Sequence, residues 1–210
     1  MSQTKIGVGM INATSIGDAK VLQGDGSWVT PSAGALTFIS NTDISSAATY
    51  DFTAFTAASY EHYIFYLQNV IPVTDDVHMW VRTSTDGGSS YDAGASDYNW
   101  GGMSGRHMED LDSADSVFAA TGNETSIQST LGSTSTESGA SGIIYLYGPH
   151  TTSYTQLQSV LTFVAASNQM VTCNMGGVRQ SAGDVDGFRI LFESGSIESG
   201  TITVYGLANA

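Results

Sequence analysis

Four histidines, 20 acidic side chains and one cysteine are the residues of this 210-residue chain that could carry acid–base, metal or nucleophilic chemistry. His62, His78, His107 and His150 stand far apart. None forms the HxH or HExxH spacing that brings two imidazoles onto one zinc ion. Cys173 alone can build neither an intrachain disulfide nor a cysteine-rich zinc site. It lies in QMVTCNMGG, an alternating stretch in which a buried strand thiol is expected. No GxSxG elbow lifts a serine nucleophile, since neither MSGRH around Ser104 nor TSTDGGSS around Ser84 has that pattern. The densest ionisable group is Arg106, His107, Glu109 and Asp110, which reads as a solvated loop or an inter-subunit contact. Paired carboxylates could cleave a glycosidic bond, but a chain of this length leaves little room for the long groove such enzymes use.

Two turn sequences place carboxylates where a hard cation could bind oxygen. They are AGDVDG, with Asp184 and Asp186, and the Asp75–Asp76 pair. Neither follows an EF-hand loop, and aspartates that bond their own turn backbone are the simpler expectation. Asp184 and Asp186 are therefore weak calcium candidates, and no cofactor is expected. Aromatic side chains offer a different chemistry, stacking on sugar faces or anchoring an interface. Trp80, Tyr91, Tyr98 and Trp100 flank the predicted loops and are the candidate ligand contacts.

Composition removes several function classes. Six Lys+Arg against 20 Asp+Glu give a net charge of -14, so no basic patch can be large. Nucleic-acid backbone and anionic membrane surfaces are both disfavoured as partners, because each is bound through Lys and Arg. No run approaches the roughly 18 apolar residues of a membrane span. MSQTKIGVGMINATS lacks the apolar core of a signal peptide, so synthesis in the cytoplasm is expected. Hydrophobic residues at 41% suffice for a packed core, while 24 glycines and abundant Ser and Thr favour turns and strand surfaces over helices.

These residues need a β scaffold to hold them. LTFIS, EHYIFYLQNV and DVHMWVRTST alternate apolar and polar positions; in the last, Val77, Met79 and Val81 share one face and His78, Trp80 and Arg82 the other. VIPVTD between the second and third reads as a hairpin loop. Residues 91–140 read as mostly loop, with short strands at Tyr98–Trp100 and Thr125–Thr130. GIIYLYG, QLQSVLTFVAAS, QMVTCNMGG, GFRILFES and GTITVYGL complete about ten strands at the spacing of a sandwich or barrel. A strand at the very C-terminus fits a jelly roll, in which the two chain ends occupy neighbouring strands.

The first 34 residues differ. Ile6, Val8, Met10, Ile11 and Ile16 are spaced by Gly and Asn without a period, and GDGSW reads as a tight turn presenting Trp28. Such a segment cannot build a core alone. Residues 1–34 are read as an extended anchoring segment, with these six apolar residues as anchoring or oligomer contacts, and residues 35–210 as an all-β, jelly-roll-like antiparallel sandwich head.

Several stretches together resemble a known family. LTFIS..TDISSAATYDFTAF, then VRTSTDGGSSY and the terminal TVYGL, are similar to the jelly-roll heads of tailed-bacteriophage fibre, spike and decoration proteins. KVLQGDGSWVTP resembles the Gly-Asp-Gly-Ser/Thr-Trp linker that precedes such heads. The resemblance covers residues from about 20 to 210; VRTSTDGGSSY and TVYGL are its most specific pieces. It implies a non-enzymatic virion protein: a homo-oligomer, most simply a trimer, bound to other virion proteins through its N-terminal segment, with the head outward. No repetitive shaft is present, which favours a short spike or knob over a long fibre. Capsid, neck and tail remain open as its place. The alternative is an adhesin or carbohydrate-binding module whose main role is to engage a host glycan or receptor.

Overall fold

The computed structural model describes residues 21–22, 28–29, 36–106, 116–122 and 124–208, and the chain divides into two units, Met1–Gly34 and Ala35–Ala210. In the first, β1 (Val21–Leu22) and β2 (Trp28–Val29) pair antiparallel, with Leu22 opposite Trp28. Residues 23–27 between them lie outside the described residues, as do Ile6, Val8, Met10, Ile11 and Ile16.

The second unit is all-β. Its strands are β3 (Leu36–Ala47), β4 (Tyr50–Phe52), β5 (Tyr60–Pro72), β6 (Val77–Ser84), β7 (Tyr98–Arg106) and β8 (Ser116–Gly122). They continue with β9 (Thr125–Leu131), β10 (Ala140–Tyr147), β11 (Gln156–Val164), β12 (Met170–Arg179), β13 (Gly187–Phe192) and β14 (Ile197–Ala208). A single 3-10 turn, Ser135–Glu137, is the one helical element among the described residues.

Two antiparallel sheets form, ordered β3-β14-β5-β10-β11-β12-β7-β8 and β4-β13-β6-β9. The pairing is nested: β3 with β14, β4 with β13, β5 with β10 and β6 with β9. That is a long hairpin folded over on itself, with successive strand pairs falling alternately in the two sheets, which is the connectivity of a jelly roll. Removing β7–β8 and β11–β12 would leave eight strands with that connectivity complete. The two inserted pairs extend only the larger sheet, side by side.

Alternation creates the core. In β6, Val77, Met79 and Val81 are buried while His78, Trp80 and Arg82 are not. Phe65 of β5 stacks on Phe188 of β13 at 4.1 Å between ring centroids, joining the two sheets, and Phe52 meets Phe65 edge-on. Such pairs add to the burial of their apolar area. Cys173 is buried, as its strand pattern implied.

Two expectations are corrected. VIPVTD does not close a hairpin, because β5 and β6 lie in different sheets. The segment is instead a corner: Asp76 takes a left-handed φ of 60°, its N–H donates to the Leu131 carbonyl, and Asp75 Oδ1 accepts from the Ser133 N–H. The Asp pair thus fixes backbone and hydroxyl groups, Thr130 among them. Residues 91–140 hold more strand than expected, because β7 runs on through Gly101, Gly102 and Gly105 and β8 pairs with it. Glycine is required at position 102, where a Cβ would overlap the Asn174 carbonyl oxygen and the Met175 sulfur of β12. The sheet is dense there, so a glycine-rich run that resembles loop in sequence is strand in the fold.

Candidate functional site

VRTSTDGGSSY, one of the two most specific stretches of the sequence, runs from the end of β6 into a tightly hydrogen-bonded loop. Asp86 accepts hydrogen bonds from the Ser84 hydroxyl, the Ser90 N–H and the Ser90 hydroxyl. The Ser90 bonds are the main reason that its carboxyl is held down at about 2. Gly87 and Gly88 take φ of 71° and 81°, and the Gly87 N–H donates to Asp186 Oδ1. The loop delivers Tyr91 to Arg189, whose guanidinium carbon lies 3.8 Å from the ring centroid while its nitrogens clamp Asp51 at 2.6 and 2.7 Å. Trp80 and Arg82 share this outer face of the four-stranded sheet, with Arg82 5.5 Å from the Trp80 ring centroid and Glu124 beside it. Trp80 and Tyr91 therefore lie on one partly exposed face, already engaged by arginines.

Tyr98 and Trp100 belong elsewhere. Tyr98 is fully buried; its hydroxyl accepts from the Thr83 N–H at 2.8 Å and lies 3.1 Å from the Thr83 hydroxyl. Burial pushes its phenol up to about 12. It is a core residue and cannot meet an external ligand. Trp100 is on the same inner phase of β7, partly buried against the core, where it also lines the trench formed by β7, β10, β11 and β12; its indole N–H is buried and has no hydrogen-bond partner among the described residues. The two face inward because β9 covers this end of the larger sheet.

The calcium candidates also separate. Asp184 Oδ1 sits 3.0 Å from His150 Nδ1, whereas Asp186 bonds the Gly87 N–H. Among the described residues no three His, Cys, Asp or Glu side chains converge on a metal-sized site. His150 Nε2 lies 3.3 Å from the Tyr63 hydroxyl, which accepts from the Thr56 N–H. With the proton on Nδ1, this Tyr63–His150–Asp184 line has the form of an acid–base relay. Tyr63 is fully buried, however, so the line ties three loops together and presents no hydroxyl to a substrate. Of the Arg106 cluster, His107, Glu109 and Asp110 lie outside the described residues.

A surface missed in sequence is the outer face of the larger sheet. Cross-strand register sets three rows over β3, β14, β5, β10, β11, β12 and β7. The first is Asn41, Thr203, Tyr66, Ile143, Val160, Asn174 and Met103. The second is Phe38, Tyr205, Ile64, Tyr145, Gln158, Gly176 and Gly101, and the third is Leu36, Leu207, His62, Tyr147, Gln156, Val178 and Asn99. No Asp, Glu, Lys or Arg occurs in them, in a chain of net charge -14.

The rows have two characters. At the β3–β14–β5 end, Leu36 (44% exposed), Phe38 (57%) and Tyr66 (38%) form an apolar patch around Tyr205, which meets Phe38 and Tyr66 edge-on. At the inserted end, β10, β11, β12 and β7 make an open trench of about 480 Å3 bordered by Tyr147, Gln158, Asn174, Gly176 and Val178. The signal lay in the polar phase of apolar strands: Tyr145 and Tyr147 of IIYLYG, Gln156 and Gln158 of QLQ, and Asn174 and Gly176 of CNMGG.

Comparison with protein-family models, with curated proteins and with solved structures finds no match to this chain. No helix is long and apolar enough to cross a membrane among the described residues.

Proposed function

We propose that this chain is a non-enzymatic structural component of a phage virion, a short homotrimeric spike or decoration protein. It is held on capsid, neck or tail through residues 1–34 and exposes its jelly-roll head. The observation that carries the reading is the uncharged patch of Leu36, Phe38, Tyr66 and Tyr205 on an otherwise acidic chain. Copies at net charge -14 repel one another, so they associate most readily through a patch that carries no charge. The nested strand order agrees with the head type that the sequence resembles. Nucleic acid and membrane are not partners in this reading. Its test uses particles of the encoding phage that lack the protein. Full-length chain should remain with them through a density gradient, and chain lacking residues 1–30 should not. Full occupancy by the shortened chain overturns the anchoring role.

A second reading, engagement of a host-surface glycan, is favoured by the trench. It places ligand contact on the larger sheet, away from Trp80 and Tyr91.

A further inference from the structure

The two glycines of the β12 NMGG sequence differ in what the fold asks of them. Gly177 faces inward, and a Cβ there would come within 2.5 Å of the Thr125 side chain on β9. Packing therefore requires it. Gly176 faces outward with ordinary φ, and a Cβ there would find its nearest atoms at 3.8 and 3.9 Å, in van der Waals range. Nothing in the fold calls for a glycine at 176, and a glycine inside a strand weakens it. It stands in register between Gly101 of β7 and Gln158 of β11. Two adjacent strands thus lack side chains at the same level, and the trench floor is bare backbone.

The borders are organised. The Tyr147 hydroxyl donates to Gln158 Oε1 at 3.4 Å, and Gln158 Nε2 donates to Asn174 Oδ1 at 3.2 Å. This chain orients both amides and leaves the Asn174 nitrogen to donate outward. Tyr145 and Tyr147 lie nearly parallel, 6.0 Å between centroids and 10° between planes. The lining contains amides, a phenol, Trp100, backbone and aliphatic side chains, and no charged residue.

We infer that this trench is a binding site for a neutral sugar residue of a glycan. The inference rests on the glycan reading above. A cation finds no carboxylate in the lining, and an anionic glycan approaches a chain of net charge -14 against its field. A neutral polyhydroxylated ring matches a set of fixed neutral donors and acceptors beside aromatic faces. Only the inserted strands and β10 build the site, so it is an addition to a jelly roll whose connectivity is complete without them.

The test uses full-length protein on an array of neutral hexose and N-acetylhexosamine oligosaccharides, with sialylated and uronic-acid counterparts printed alongside. Wild type should bind neutral glycans. Gly176→Gln, which fills the floor without a clash, should abolish binding while leaving Tm within a few degrees of wild type. Asn174→Ala should weaken binding about five- to tenfold, the loss of one or two neutral hydrogen bonds. Trp80→Ala, on the other sheet, should bind as wild type. Neutral-glycan binding that survives Gly176→Gln, or is lost in Trp80→Ala alone, overturns the site and leaves the glycan reading standing. Binding of the charged glycans only overturns the proposed ligand class. Absence of binding to any printed glycan overturns site and glycan reading together, while the virion reading still rests on the particle experiment. If Gly176→Gln unfolds, Asn174→Ala with Tyr147→Phe tests the same borders, and unchanged affinity in that pair overturns the site.

Discussion

Tyr98→Phe separates a core residue from a ligand contact in a single substitution. Beyond Val81, β9 no longer flanks β6; the Tyr98 hydroxyl accepts from the Thr83 N–H, and the Asp92 N–H donates to the Thr83 carbonyl. Thr83 is 1% exposed and Tyr98 is fully buried, so water cannot replace the missing oxygen. The ring keeps its shape, and the principal loss is one acceptor for a buried backbone donor. An unsatisfied group of this kind costs about 1–3 kcal/mol, and we expect about 2 kcal/mol here. For a domain of this size that lowers Tm by about 4–8 °C. Urea unfolding followed by far-ultraviolet circular dichroism should show a lower midpoint at unchanged m-value. Thr83→Val in a double-mutant cycle should couple to Tyr98→Phe, because the two hydroxyls also meet at 3.1 Å. A Tyr98→Phe variant within about 0.5 kcal/mol of wild type would refute this reasoning.

Three further outcomes follow from the same geometry. Burial raises the phenols of Tyr98 and Tyr50 to about 12, above their value of 10.0 when free. Their contribution is complete below pH 10 and is lost as pH rises toward 12, because only the unfolded chain ionises them readily; each accounts for roughly 2–3 kcal/mol, so alkaline unfolding should fall in that window. Gly102→Ala should destabilise the head by about 1–3 kcal/mol or more, since its methyl meets β12 backbone, whereas Gly176→Ala should be neutral or slightly stabilising; equal melting of the two variants would contradict the packing described. Asp86→Asn should loosen residues 84–90, read as faster amide exchange at Ser90, and acid should do the same to wild type as pH falls from 3.8 toward 2.

Much of the fold is legible in alternation. β6 shows it directly, since the alternation of Val77, Met79 and Val81 with His78, Trp80 and Arg82 in sequence is the alternation of burial in the strand. The C-terminal strand and its pairing beside the first strand of the head were also legible. The partition of strands between two sheets was not, because β5 and β6 look like a hairpin until long-range partners are known. Period two gives two faces without saying which is inside, and flanking loops hide the phase. That is why Tyr98 and Trp100 read as surface aromatics although they face the core under β9. β7 was read too short, ending at Trp100, for a different reason: the glycines that let it lie close to β12 are the residues that lower strand propensity. The trench depends on register between β7, β11 and β12, which no local stretch encodes.

The mass of the full-length protein in solution, measured by light scattering, tests the spike assignment most directly. The account predicts three chain masses, reduced to one by Phe38→Glu with Tyr66→Glu on the uncharged patch. A single-chain mass for wild type at every concentration measured would contradict it.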